Sequence, residues 1–462
     1  MRTIQAYRFA LDVTPSHERM LLAHAGAARV AHNWALAHVR AVMNQRAAER
    51  SYGIPDVELT PAIGWTLPAL RKAWNTAKAD VVPWWAQCSK EAFNTGLDAL
   101  ARGLKNWSDS RTGRRAGRPV GFPRFKSRRR TTPSVRFTTG AIRLEPDRKH
   151  VTLPRLGRLK THESTRKLAR RLEVGSARIL SATVRKGGGR WHVAFCVEVD
   201  RVDRTPTRPQ AIVGVDVGVR CLAVLSTGGV EPNPRHLDHA TRRLRSLARR
   251  MSRRVGPDRR TGQRPSNRWE NTRLRLMRAN ARVANLRRDG LHKLTTRLAS
   301  EYGTVVVEGL NVAGMLRNRR LARHIADAGF GELLRQLNYK TAWNGGRLVV
   351  ADRWYPSSKR CSACGTVKAK LSLSERTYNC TSCGLVLDRD LNAAHNLAAL
   401  ACEVVTAGSG PVAGRGADCK TRPSGQVAEK RQPGTTESVR PGPSRRKAGL
   451  HERNLLQRNV GV

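Results

Sequence analysis

Apolar positions recur along the chain with several different periods, and each period predicts a different kind of element. "TIQAYRFALDV" alternates Tyr7, Phe9 and Leu11 with polar neighbours, the pattern of a half-buried strand within residues 1–14. "PSHERMLLAHAGAARVAHNWALAHVRAVMNQ" then opens at Pro15-Ser16 and predicts a long helix. Phe93, Leu97, Leu100, Leu104 and Trp107, at three- and four-residue steps, predict a second helix over about 86–107. "ARILSATVRKGGGRWHVAFCVEVD" (177–200) gives two alternating runs around Gly187-Gly188-Gly189, a β-hairpin, so residues 133–205 read as mainly β.

After the linker "DRTPTRPQ" the apolar runs lose their alternation. "AIVGVDVGV" (211–219), "TVVVEGL" (304–310) and "RLVVAD" (347–352) are short and nearly continuous, as strands buried on both faces of an α/β sheet are. A basic helical stretch fills about 237–300, with Leu274, Met277, Ala281, Ala284, Leu291, Leu294 and Leu298 on one face. Beyond about residue 403 the apolar period disappears into Gly, Pro, Ser and Arg, and 403–462 reads as a disordered basic tail.

Charge changes the picture more than composition does. The 462 residues carry 86 Lys and Arg against 35 acids, a formal net charge of +51. Such a chain repels itself unless a polyanion neutralises it, and nucleic acid is the natural one. An anionic membrane is the weaker reading, since the basic residues run through every region and no apolar stretch reaches spanning length. A soluble, cytoplasmic, nucleoid-associated protein is expected. "GRPVGFPRFKSRRR" (117–130) concentrates charge among Gly and Pro turns, which makes Arg118, Arg124, Lys126, Arg128, Arg129 and Arg130 candidate nucleic-acid contacts. Six of the ten tryptophans precede residue 108; core filling is favoured for them over base stacking.

The strongest chemical signal is Cys361-x-x-Cys364 with Cys380-x-x-Cys383, the pairs 15 residues apart, each followed by a glycine that suits a tight knuckle. Four thiolates with no open position make a closed, structural Zn²⁺ site. Next come acids where acids are costly. Asp216 interrupts an apolar run, with Gly214 and Gly218 on the same side leaving space for an ion or a nucleic-acid backbone; Glu308 repeats the anomaly. Asp390 opens "DLNAAHNLAAL", whose Ala393 and Ala394 permit close approach to a sheet, while Asp388 suits an N-cap. Together Asp216, Glu308 and Asp390 read as a carboxylate cluster for Mg²⁺ or Mn²⁺, able to hydrolyse a phosphodiester. "GVDVG" also resembles the first phosphate loop of sugar kinases and actin-like ATPases, but Val219 and Arg220 stand where that loop carries its hydroxyl pair.

In this order, "GVDVGVRCLAVLS", "VVVEGLNVAGM", the two cysteine pairs and "LDRDLNAAHNL" resemble the nuclease core of the TnpB family of RNA-guided DNA endonucleases, relatives of compact type V CRISPR effectors. The N-terminal segments are similar as well, so the resemblance covers about residues 1–402. It implies a multidomain α/β fold: a β-barrel wedge domain (1–14 and 133–205) interrupted by a helical recognition domain (15–132), then a RuvC-type, RNase H-like nuclease domain (206–402). A zinc ribbon (355–387) would be inserted before the last helix. It further implies Asp216, Glu308 and Asp390 as catalytic metal ligands, Asn392 as support for the site, and a guide RNA and target double-stranded DNA as partners. A motif flanking the target would be recognised, and self-association is left open. Three other readings share these motifs: a compact CRISPR effector, a guided but inert DNA-binding repressor, and an unguided RuvC-like nuclease. No strand-transfer acid triad or tyrosine nucleophile motif supports a transposase.

Overall fold

The computed structural model describes residues 1–406 apart from 259 and 373, with side chains as far as 401. The expected tail therefore lies outside the described residues from 407 onward, although the last helix runs to Thr406, into the stretch expected to lack structure.

The first part of the chain is strand, helices, strands. β1 (Arg2–Asp12) leads into α1 (Pro15–Ser51), α2 (Leu67–Val81) and α3 (Lys90–Arg111). Then come β2 (Ser134–Phe137), β3 (Arg143–Leu144), β4 (His150–Leu153), β5 (Gly157–Thr161), α4 (Arg166–Glu173), β6 (Ala177–Gly187) and β7 (Arg190–Asp200). The start of α1 is fixed by its sequence: Thr14 caps it, its hydroxyl accepting from His17 N–H at 3.2 Å, and Pro15 occupies the first turn. The seven strands form one sheet in the order β2-β6-β7-β1-β5-β4-β3. β1 pairs with β7 along its whole length, from Arg2 opposite Asp200 to Leu11 opposite Trp191, so the helices leave and return within one β unit. Sheet and helices share one core, in which Leu21, Leu36, Leu97 and Leu100 meet Val193 and Phe195.

Trp74 is buried there and Trp34 and Trp65 pack against it, but Trp84 and Trp85 are 38 % and 39 % exposed. For that pair the core reading is corrected: at the 3₁₀ turn Trp85–Gln87 they lie at the rim of the core, Trp84 with its ring 6.3 Å from that of Phe93 and Trp85 under the Lys78 ammonium.

The second part is β8 (Arg208–Asp216), β9 (Cys221–Leu225), β10 (Val230–Pro232), α5 (His236–Ser252), α6 (Asn267–Glu301), β11 (Tyr302–Glu308), α7 (Val312–Met315), α8 (Ala322–Ala328), α9 (Phe330–Trp343) and β12 (Arg347–Ala351). The chain then makes the hairpin β13 (Thr377–Asn379) and β14 (Val386–Asp388), and the described residues end in α10 (Arg389–Thr406). Five strands order as β10-β9-β8-β11-β12, an antiparallel meander on one side and parallel pairing of β8, β11 and β12 on the other. Val213, Val215, Val305 and Val307 face a layer containing Leu291, Leu298, Leu333 and Leu337 of α6 and α9. The alternate residues Ile212 and Val306 face α10 through Leu397 and Ala401.

Both strand faces are covered, which is why these strands read as unbroken apolar runs. The packing also corrects the role given to Gly214. A methyl group there would overlap the carbonyl oxygen of Ala394, so the missing side chain admits α10 and leaves no space for a ligand. Gly218 lies beyond the end of β8 and shares no strand face with Asp216. Gly214→Ala is accordingly expected to destabilise the protein by about 3 kcal/mol, the upper end for overpacked cores, because the clash is with backbone. An earlier urea-unfolding transition would show it.

Candidate active site

Strand alternation and helix rise together place three acids at one edge. Asp216 and Glu308 are the last residues of the neighbouring parallel strands β8 and β11, whose pairing sets Val215 beside Val307. Being two residues on from Ile212's neighbour Gly214 and from Val306, both acids lie on the face covered by α10. That helix touches Gly214 at Ala394. Asp390 is one helical turn back from Ala394, about 6 Å, and Asp216 is two strand residues beyond Gly214, about 6.6 Å. The helix thus delivers Asp390 to the level of Asp216.

The electrostatics agree. Burial, then the charge of Glu308, then that of Asp390 push the Asp216 carboxyl well above the usual carboxylate range, with only partial opposition from the Arg389 guanidinium. Arg389 Nε stands 3.4 Å from Asp390 Oδ1. Asp388 caps α10, its Oδ1 accepting from the N–H groups of Asp390 and Leu391 at 2.9 and 3.1 Å, and its charge adds a smaller push to Asp216. The donor set suits a hard divalent cation, which would relieve the repulsion that raises the Asp216 pKa. The three carboxylates are near enough to act on one another, yet among the described residues only four cysteines form a ready-made cluster of ligand atoms.

In that cluster all four sulfurs lie within 4.8 Å of one another, with Cys361–Cys383 and Cys364–Cys380 both at 3.6 Å. A regular tetrahedron with Zn–S bonds of 2.3 Å has edges of about 3.8 Å, so the sulfurs are already spaced for zinc. Each knuckle is closed by its glycine in the left-handed region, Gly365 at φ 79° and Gly384 at φ 72°. Thr366, through its hydroxyl and backbone N–H, holds the Cys364 thiol down to about 6. Cys383 shows the other side: Leu385 N–H lowers its pKa, but the sulfurs of Cys364 and Cys361 push it up to about 12. Four crowded thiols that resist joint ionisation are what a dication stabilises.

Ribbon and acids are tied by a buried polar chain that the sequence reading passed over. Ser357 Oγ donates to Glu308 Oε1. The amide of Asn396, on α10, donates to the carbonyls of Ser357 and Arg360 at 2.8 and 2.7 Å. Asn392 Nδ2 donates to Arg360 O at 2.8 Å, and its Oδ1 accepts from Ser362 N–H, inside the first knuckle, at 3.0 Å. Asn392 is thus held against the ribbon, and Ser357 is the residue that touches an acid. The sequence had pointed to Asn392 through the resemblance, but Ser357 and Asn396 carried no such signal.

The basic loop is placed against α1. Lys126 and Asn33 exchange two hydrogen bonds of 2.8 and 2.9 Å, and Arg40 lies over the Phe122 and Phe125 rings. Arg118, Arg124, Arg128, Arg129 and Arg130 are exposed; Lys126 is half-buried, and burial lowers its pKa. Lys126 and Arg128 line a cleft of about 490 Å³ with Arg29 and Arg102. A larger groove, about 1010 Å³, runs between α5 and α6 and is lined by Arg242, Arg243, Arg250, Arg275, Arg278 and Arg282, with no acid among its described lining residues. Charge counting revealed the arginines but not that one groove collects them.

A five-stranded α/β sheet with acids at its strand ends, and a four-cysteine ribbon inserted before its last helix, defines the class: a zinc-ribbon α/β protein with an acidic strand-end site. Comparison with known proteins narrows this. Residues 330–397 match the profile described as "Cas12f1-like, TNB domain", 194–319 "Probable transposase" (OrfB_IS605) and 1–47 "Helix-turn-helix domain". In the structure that last segment is β1 and the single unbroken helix α1. The chain is 42 % identical over 442 residues to the Mycobacterium tuberculosis protein named "Putative RNA-guided DNA endonuclease", covering 91 % of this chain and 92 % of that one. It is 29 % identical to Escherichia coli "Putative RNA-guided DNA endonuclease InsQ", covering 90 % and 96 %. A solved Cas12f1-sgRNA-target DNA complex aligns with 86 % of the chain at 13 % identity and a TM-score of 0.44. The chain belongs to the TnpB (OrfB) family.

Proposed function

We propose that the protein is an RNA-guided DNA endonuclease whose cutting site is the carboxylate edge of Asp216, Glu308 and Asp390. The observation that carries this reading is the crowding of Asp216 by the other two acids in a chain so closely related to proteins named for that activity. The three acids would hold Mg²⁺ or Mn²⁺, which when bound activates water and neutralises charge on the phosphodiester. Intact acids favour an enzyme over an inert repressor. The strand order β10-β9-β8-β11-β12 supports an RNase H-like, RuvC-type core over 206–402, with the ribbon (355–387) as its insert. The seven-stranded sheet, in which the end strands β2 and β3 are not paired with each other, and α1–α3 support a wedge-like β domain (1–14, 133–205), here an open sheet in place of the expected closed barrel, and a recognition domain (15–132) that reads a flanking motif. The basic cleft and groove supply surfaces for guide RNA and heteroduplex, read by shape while pairing reads sequence. No helix among the described residues is long and apolar enough to cross a membrane, and a cytoplasmic, nucleoid-associated location follows from the function.

Ser357 is a positioning residue in this scheme. Ser357→Ala should slow cleavage about 10- to 100-fold, as loss of a partner to a metal ligand does, and extra Mg²⁺ should recover part of it. The whole reading is tested by sequencing RNA that copurifies with the protein from its own locus. RNA mapping to the end of its gene supports an insertion-sequence nuclease, and repeat–spacer transcripts a CRISPR effector. Absence of any discrete RNA overturns the guided reading and leaves an unguided nuclease.

A further inference from the structure

Trp354 is 79 % exposed, the most exposed tryptophan among the described residues. A tryptophan ordinarily contributes 150–250 Å² of burial, so leaving one in water forgoes a large stabilising term. Its place in the chain is the informative part. β12 ends at Ala351, which is in register with Glu308 on β11. The chain then swings out through residues 352–356 and returns to the same acid, where Ser357 Oγ donates to Glu308 Oε1. Trp354 is the midpoint of that excursion, three residues from either foot, so its Cα lies within about 11 Å of both.

The excursion is a braced turn. Trp354 N–H donates to Asp352 Oδ1 at 2.8 Å, Tyr355 N–H to Asp352 O at 3.1 Å, and the Tyr355 hydroxyl to Asn396 O of α10 at 3.0 Å. The backbone that carries the exposed ring is therefore fixed at both sides. Arg353 carries its guanidinium 4.8 Å from the ring centre, covering one face and placing a positive charge beside it. The exposed remainder is a flat apolar surface, flanked by a cation, on a short loop whose two feet adjoin the Glu308 end of the carboxylate edge.

We propose that Trp354 is a stacking platform for an unpaired base of the DNA strand entering the carboxylate edge, with Arg353 meeting that strand's phosphate. This rests on the nuclease reading for the identity of the strand, though not for the stacking itself. A duplex hides its base faces, so the platform selects single-stranded substrate at the cut. Every base has a π face, so the platform does not select sequence.

The test uses the full chain carrying Asp216→Ala, to prevent cutting, and a single-stranded DNA oligonucleotide with 2-aminopurine moved stepwise along it. Emission should be quenched at one register. Trp354→Ala should abolish that quenching and weaken binding about 5- to 150-fold, while Trp354→Phe should keep most of both, with zinc content and bound RNA unchanged. Equal quenching and affinity in Trp354→Ala overturn the proposal. So does a loss that Trp354→Phe fails to restore, since that marks a purely structural role. In chains with Asp216 intact, Trp354→Ala should cut a guide-matched target more slowly than wild type, and equal rates overturn the proposal. If wild type cuts no guide-matched target while the Trp354-dependent quenching persists, the guided-nuclease reading falls and the stacking site stands.

Discussion

Asp216→Ala is expected to abolish DNA cleavage, by about 100- to 1000-fold or more, the scale on which losing one charge-stabilising group acts in an active site. Guide RNA binding should be untouched, because the arginine groove and the loop cleft lie on other elements. The isosteric Asp216→Asn is expected to have an opposite effect on stability. With its folded pKa raised above the unfolded value, Asp216 contributes stability that is fully present below the unfolded pKa and lost as pH rises through the folded one. At neutral pH without metal, this carboxyl is a burden. Asp216→Asn should therefore unfold later than wild type in metal-free buffer, and the gap should close when Mg²⁺ is added. Cleavage assays and RNA retention of Asp216→Ala, and urea unfolding of Asp216→Asn with and without Mg²⁺, each beside wild type, check all three outcomes.

The second large effect is loss of the zinc staple. Cys380→Ser with Cys383→Ser should remove the metal and lower cleavage about 100-fold, with RNA binding retained; metal analysis beside both assays reads it. The magnitude follows from how little else holds the ribbon. Its buried cluster is Cys361, Tyr378 and Cys380, with Leu371 and Leu385 packed against it. A few such side chains at about 1.5–3 kcal/mol each cannot fold a hairpin, whereas a four-ligand zinc site supplies about 10–16 kcal/mol. Without it, the knuckle that engages Asn392 is lost, and with it the register of Ser357 on Glu308. Unchanged cleavage in a zinc-free double variant would show that the ribbon does not hold the acid.

Much of this was legible in the sequence because the anomalies were local. An acid at the end of a buried apolar run, and cysteines two apart with glycine behind them, are visible without any fold. Asp388 as a cap was readable for the same reason: capping is decided within one turn. The bond from Ser357 to Glu308 spans 49 residues and depends on β11 and β12 pairing, so nothing near either residue announces it. Gly214 was misread for a related cause. Alternation says which way a strand residue faces, but not that a helix 180 residues later comes to rest there. The arginines of α5 and α6 were counted as charge, yet only the packing of one helix on the other decides which share a groove.

The order in which the acids occur along the chain has a consequence of its own. Asp216 and Glu308 leave the ribosome long before Asp390, which rides on the last described helix. Until α10 docks against Gly214, a growing chain has two of the three acids at the sheet edge. A chain that stops before α10 would carry the arginines of α5 and α6 and the first two acids, without the third. Under the proposed reading, the third acid is set in place only by the last described helix, so assembly of the carboxylate edge waits on the docking of α10 and not on the strands that carry the first two.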